Sequence, residues 1–220
     1  MNQRLMLIHS FILAKRLVKL NDHLGGARML IRVAQNISQF PTNMVNILTS
    51  TVAECTKANL KQGAFNWACV LIRPEYRNQI PPAFQKKVES IARKPVKQDD
   101  DPEAVSACPF CKFEIPETRL ECPSCKNNIP FCIASGKHMT IKEWSSCPSC
   151  KLPCIYSEMK KVLEADPTCP MCEQNVPAMS ITLSSDPEAD FKALTALMKE
   201  TGTEEEKEGA GDDEDGDDMD

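Results

Sequence analysis

Through residues 1–93, apolar positions recur every three or four residues, the period of helices that bury one face. Leu5, Ile8 and Ile12 begin a stripe that continues through Leu17 and Leu20. Residues 21–26 interrupt it, with turn chemistry at Asn21, Gly25 and Gly26. The period resumes at Ala27, Leu30, Ile31, Ala34 and Ile37, and Pro41 ends it. Thr42 is a suitable N-cap for a helix from Asn43 to Leu60. Lys61-Gln62-Gly63 then turns the chain into Ala64–Ile72, which stops at Arg73-Pro74. A last helix over 82–93 carries Phe84, Val88 and Ile91.

Short turns between helices of these lengths imply antiparallel pairs. The two main pairs recur at roughly 37–40 residues, and Ala27, Ala34, Ala53, Ala64 and Ala68 sit where pairs approach closely. Pairs arriving in series read as the end of a tetratricopeptide-like solenoid, with an ordinary helical bundle as the alternative. From residue 94 the pattern changes, with two prolines, three consecutive aspartates and no apolar period before Cys108. Beyond the cysteine region, Ser185 or Asp186 can cap a short helix through Phe191, Leu194 and Leu197/Met198. The expected fold is mainly α. It comprises a helical-repeat segment over 1–93, a linker over 94–107, and a small zinc-stapled domain, zinc-ribbon-like or RING-like, over 108–178. A short helix over 185–200 and a disordered acidic tail over 201–220 complete it.

Composition supports this division. Aromatic residues make up 5% of the chain, which argues against an aromatic-rich binding barrel and fits a small domain with a thin core. No run is long and apolar enough to span a membrane. Arg4, His9, Lys15, Arg16 and Lys19 break up the N-terminal apolar run, which reads as an amphipathic helix and not as an export signal. The thiols are then expected to stay reduced, so paired cysteines mean metal before disulfide. The net charge of −5 hides an asymmetry: residues 203–220 hold eleven acidic side chains and one lysine, leaving 20 acidic against 25 basic residues over 1–202.

Ten of the twelve cysteines lie between Cys108 and Cys172, eight of them in Cys-x-x-Cys pairs with proline after the first cysteine. The pairs are Cys108/Cys111, Cys122/Cys125, Cys147/Cys150 and Cys169/Cys172. Each such turn aims two thiolates at one cation, and two turns close a tetrahedral shell. Two zinc ions follow if consecutive pairs combine. A crossed arrangement is the rival. It would join Cys122, Cys125, Cys147 and Cys150, and would bring Cys132 and His138 to Cys169 and Cys172, in the manner of a RING cross-brace. That arrangement would strand Cys108 and Cys111 unless a third, incomplete site used them. Three zinc ions per chain would implicate Cys132 and His138, and a surface position is the other reading of that histidine. Cys154 is expected to be a bystander, Cys55 and Cys69 small buried hydrophobes, and His9 and His23 surface or turn residues. All-cysteine shells are closed and structural, and no catalytic motif accompanies them, so the chain is not expected to be an enzyme.

Three stretches carry a family resemblance. They are LMLIHSFILAKRLVKLNDHLGGARMLIRVAQNISQFP, NILTSTVAECTKANLKQGAFNWACVLIRPEYR, and CPFCKFEIPETRLECPSCKNNIPFCIASGKHM followed by the remaining cysteine pairs. Over 1–175 the chain resembles the C-terminal end of the WD-repeat subunits of intraflagellar transport complex A. In that family two propellers and a long solenoid precede this region, so the chain reads as a fragment, a truncated gene model or a short paralogue. The resemblance implies a non-enzymatic scaffold for retrograde ciliary transport, cilium assembly and ciliary import. It also implies other complex A subunits as partners, and a place in the cilium, basal body and cytoplasm. Two other classes compete. A RING-type ubiquitin ligase would use Phe110 or Phe113 to grip its conjugating enzyme. A nucleic-acid-binding zinc ribbon would need a basic stripe, whereas Lys112, Arg119, Lys126, Lys137, Lys142 and Lys151 are scattered among acidic residues.

Overall fold

In the computed structural model, residues 3–97 and 99–208 are described, and the helical period becomes a series of stacked helices. These are α1 (Gln3–Lys19), α2 (His23–Gln35), α3 (Met44–Lys57), α4 (Lys61–Leu71), the single turn α5 (Pro74–Arg77) and α6 (Pro82–Ala92). They stack in chain order, α1 on α2, α2 on α3, α3 on α4 and α4 on α6. Leu13, Leu17, Met29 and Leu30 fill the first interface. Ala34, Leu48, Val52, Leu71 and Val88 fill the later ones, with Ala68 letting backbones approach. Cys55 packs with Ala27 and Ala64 as a small hydrophobe, and burial pushes its thiol up to about 12.

The helices are where the period puts them, but their ends differ. Gly25 and Gly26 lie inside α2; the turn is made by Asn21 at φ 61°, and the Asp22 carboxylate caps α2 by accepting the Gly25 N–H at 2.8 Å. Gly26 is instead a contact glycine. A Cβ there would stand 2.7 Å from Val18 Cγ2 and 3.3 Å from the Ala14 carbonyl, so the missing side chain sets how closely α1 and α2 pack. Asn59, at φ 60°, turns the chain before α4, and Lys61–Gly63 form that helix's first turn. Thr42 falls in a 3₁₀ turn, Pro41–Asn43, and Asn43 holds the cap position of α3.

The linker expected over 94–107 is tied down at both ends. Unpaired N–H groups at a helix start attract a carboxylate. Asp100 supplies one to α4, accepting the Gln62 and Gly63 N–H groups at 2.8 Å each. Glu103 accepts the Thr118 N–H at 2.6 Å and its hydroxyl at 2.9 Å. Residues Val105–Ala107 form strand β1, antiparallel to β2 (Glu114–Pro116) with Ser106 opposite Ile115. A second hairpin pairs β3 (Trp144–Ser146) with β4 (Pro153–Ile155), and α7 (Tyr156–Ala165) follows. Phe131, Met139, Trp144, Met159 and Leu163 form the core of this half. Phe191 closes it from α8 (Pro187–Glu208), its ring 4.8 Å from Phe110 and 6.0 Å from Trp144. The packing of this half therefore begins before Cys108 and extends past 178. α8, capped by Asp186, runs beyond the expected 200 and through Gly202 to Glu208, where Glu204–Glu206 favour helix. The rest of the expected tail, 209–220, lies outside the described residues. No described helix is long and apolar enough to cross a membrane.

The two halves meet through side chains of α1 and α2. His9, expected at the surface, is 3% exposed; its Nε2 meets the Ile133 carbonyl at 3.0 Å and its ring stacks on Phe131. Burial lowers its pKa, favouring neutral imidazole. Arg32 donates to the carbonyls of Thr118 and Gly136. Arg16 pairs with Asp166 at 3.1 Å and donates to the Thr168 carbonyl. His23 is part of a different pairing, 2.7 Å from Glu54.

Two glycines separate contact from propensity. Gly26→Ala should destabilise the chain by about 1 kcal/mol, overpacking of about 1–3 kcal/mol outweighing a gain in helix propensity. Gly63→Ala meets nothing closer than 3.5 Å and should stabilise by up to about 1 kcal/mol. Urea midpoints at constant slope would show the opposite signs.

Candidate metal centre

All four cysteine pairs adopt one backbone form. In the first, the Cys108 N–H donates to the Phe113 carbonyl at 2.9 Å, and the Cys108 carbonyl accepts the Lys112 N–H at 2.9 Å. The same two bonds recur around Cys122 (Asn127 and Lys126), Cys147 (Leu152 and Lys151) and Cys169 (Gln174 and Glu173). The residue after the second cysteine is left-handed each time, with φ of 65° at Lys112, 57° at Lys126, 61° at Lys151 and 57° at Glu173. Proline at the second position presets the turn. The first cysteine of every pair is fully buried, and the second is half-buried or, at Cys111, exposed.

Consecutive knuckles face one another. The sulfurs of Cys108, Cys111, Cys122 and Cys125 lie within 4.8 Å of one another, as do those of Cys147, Cys150, Cys169 and Cys172. Cys108 and Cys125 sulfurs are 3.9 Å apart, and those of Cys111 and Cys122 3.6 Å. A zinc–sulfur bond of about 2.3 Å in a tetrahedron requires sulfur–sulfur edges of about 3.8 Å. The first tetrad therefore matches the shell of a zinc ion, and the second has the same donor set. β1–β2 supplies Ile115 beneath the first tetrad; β3–β4 and α7 surround the second.

The thiols are not equivalent. Burial pushes Cys108 up to about 12, while the Asn127 backbone N–H helps draw Cys125 down to about 6. In the second tetrad burial pushes Cys169 up to about 11; at Cys172 burial is the largest single influence and acts upward, but hydrogen bonds from the Gln174 N–H, Cys169, Ser149 and Cys150 together outweigh it and bring the thiol to about 7. Each cluster can carry some negative charge unaided, and four adjacent thiolates only with a cation. Zn²⁺ deprotonates coordinating thiols outright and closes such a shell. With four protein sulfurs it keeps no open position for substrate, so its contribution is to folding.

The comparisons with known proteins divide along the same line. Residues 102–126, with the first tetrad, match a family model described as "IFT144, first zinc finger domain". Residues 130–177, with the second, match one described as "IFT121, second zinc finger domain". The chain is 51% identical over 176 residues to WD repeat-containing protein 19 of Mus musculus, covering 80% of this chain and 13% of that protein. It is also 51% identical to the Homo sapiens protein of that name over 186 residues, 84% of this chain and 14% of the relative. Over most of its length the chain matches WD repeat-containing protein 19. WD repeat-containing protein dyf-2 of Caenorhabditis elegans is 42% identical over 172 residues, 78% of this chain and 12% of its own length. The chain thus spans about an eighth of the relatives it matches.

Cys132 and His138 join neither tetrad. The Cys132 sulfur accepts the Ala134 N–H at 3.4 Å and the Ile155 N–H at 3.2 Å. The His138 Nε2 is 2.7 Å from the Ser106 hydroxyl, and burial lowers its pKa. The crossed grouping is therefore not the one whose sulfurs lie together. Cys154 is fully buried in the core beside the second tetrad. Spacing reasoning had no view of Asn127 and Gln174, whose backbone N–H groups tune the outer thiols. It also passed over Arg32, although a charge between Ile31 and Val33 on an apolar helix is a signal of a buried partner.

Cys147→Ser should lower bound zinc from two per chain to one and cost on the order of several kcal/mol, since the second tetrad sits in the core that α7 and α8 share. Cys154→Ser should retain both ions. Metal analysis of the purified full chain, with thermal melts, distinguishes the two variants.

Proposed function

We propose that this chain is a non-enzymatic scaffold part of intraflagellar transport complex A, acting in retrograde ciliary transport, cilium assembly and ciliary protein import. The observation that carries the reading is the pair of closed four-cysteine shells fastened to a helical stack, in a chain related to WD repeat-containing protein 19. Neither shell offers a position for substrate, and His9 and His138 are buried in structural contacts. On this reading the stack is the end of a tetratricopeptide-like solenoid that the zinc unit caps. The partners are other complex A subunits, and the chain resides in the cilium or flagellum, the basal body and the cytoplasm.

The outer face of α1 supports a docking role. Leu5, Ile8 and Ile12 follow one another at helical spacing and are 40–49% exposed. Such a stripe suits packing against another helix. The rival classes gain no comparable support. A RING cross-brace interleaves its ligands, whereas here neighbouring knuckles combine. A nucleic-acid surface would draw on lysines such as Lys137, which is held by Glu117 at 3.0 Å and Glu158 at 2.9 Å.

Affinity purification of the tagged chain from ciliated cells should recover complex A subunits, with the tag enriched in cilia by microscopy. Leu5→Glu with Ile12→Glu should weaken that recovery about tenfold or more while leaving zinc content unchanged, as loss of an apolar anchor implies. Absence of the chain from every complex A fraction would sink the reading.

A further inference from the structure

The backbone contains a fifth knuckle. The Cys132 N–H donates to the Lys137 carbonyl at 2.8 Å, and the Cys132 carbonyl accepts the Gly136 N–H at 2.8 Å. Gly136 has φ 70°, as the residue after the second cysteine has in the other four. A single antiparallel bridge, Phe131 to His138, flanks it, as Glu121–Asn128 and Thr168–Asn175 flank two of the others. The sequence, Cys-Ile-Ala-Ser-Gly, departs from Cys-Pro-x-Cys-Lys at three positions, and each departure has a structural correlate.

Where the others have proline, Ile133 donates its N–H to the Pro153 carbonyl at 3.1 Å, a bond proline cannot make, and offers its own carbonyl to His9. Where the others have a second ligand, Ser135 stands, leaving Cys132 to accept backbone N–H groups from Ala134 and Ile155. Where the others carry Lys or Glu, Gly136 relieves the strain of a positive φ that Lys112, Lys126 and Lys151 tolerate, and it also makes room for a neighbour. A Cβ at 136 would stand 2.2 Å from the Met29 sulfur on α2. The Gly136 carbonyl accepts from Arg32 at 2.7 Å.

We propose that Cys132–Gly136 is a zinc knuckle without a metal, which serves as the docking key that holds the helical stack on the zinc unit. Its carbonyls at 133 and 136 are read by His9 and Arg32, and its missing side chain at 136 is the slot for Met29. The chain accordingly takes two zinc ions and not three, and the joint depends on knuckle shape instead of coordination.

The test uses the full chain with zinc bound. Gly136→Lys restores the residue that three zinc knuckles accept in this conformation, so it challenges the contact more than the turn. Wild type, Cys132→Ala and Gly136→Lys should each hold two zinc ions. Amide exchange across α1 and α2 should become about tenfold faster or more in Gly136→Lys, with Arg32→Met acting in the same direction. If Gly136→Lys does not yield folded protein, Gly136→Ala with and without Met29→Ala replaces it. Removing the sulfur should then reduce the effect of the added methyl, a positive coupling between the two sites. A third zinc in wild type that Cys132→Ala removes would overturn the proposal. So would unchanged exchange in Gly136→Lys, loss of zinc from that variant, or additive effects at 29 and 136.

Discussion

Four sulfurs cannot be packed within hydrogen-bonding reach and ionised unless a cation stands among them, and the C-terminal half is organised around that requirement. The eight paired cysteines converge in two groups whose inner members are fully buried. Desolvation opposes charge on Cys108 and Cys169, while backbone N–H groups favour it on Cys125 and Cys172. A divalent ion resolves that tension and ties together loops with little regular structure. The only strands among the described residues are four of three residues each. Such short hairpins are not stable alone.

The helices obey a different rule and are joined to this half by polar contacts placed in an apolar setting. Arg32 is 8% exposed, and burial lowers its pKa to about 10, which still leaves it charged at neutral pH. It is held by carbonyls from two separate loops, at Thr118 and Gly136. A buried guanidinium is tolerated only when such acceptors are fixed in place. The rigidity of the knuckles therefore matters to the helices, which contribute no ligand to either tetrad.

Local features were legible in the sequence. The apolar period located α1 to α4 and α6, because one buried face is a short-range pattern. The cysteine spacing located all four zinc knuckles, because each is complete within six or seven residues. Grouping them was harder, since either consecutive or crossed combination satisfies the spacing. What escaped was contact between distant segments. His9 lies 124 residues from Ile133, and nothing near either one marks the pair. Asp99–Asp101 look like a solvated spacer until α4 presents its free N–H groups to Asp100. Gly25 and Gly26 look like a turn until α1 is seen pressing against the second of them. The fifth knuckle hid because its identity is in the backbone, with one cysteine left to show for it.

The joint between the halves also dictates an order of events at the ribosome. α1 and α2 are made before the cysteine loops, and the groups that satisfy Arg16, His9 and Arg32 arrive more than 80 residues later. Until then a buried cation, a buried imidazole and an apolar helix face have no permanent cover. α4 likewise waits for Asp100, nearly forty residues on, to complete its first turn. The N-terminal helices therefore wait on segments made later, at Thr118, Ile133, Gly136 and Thr168, to reach their final environment.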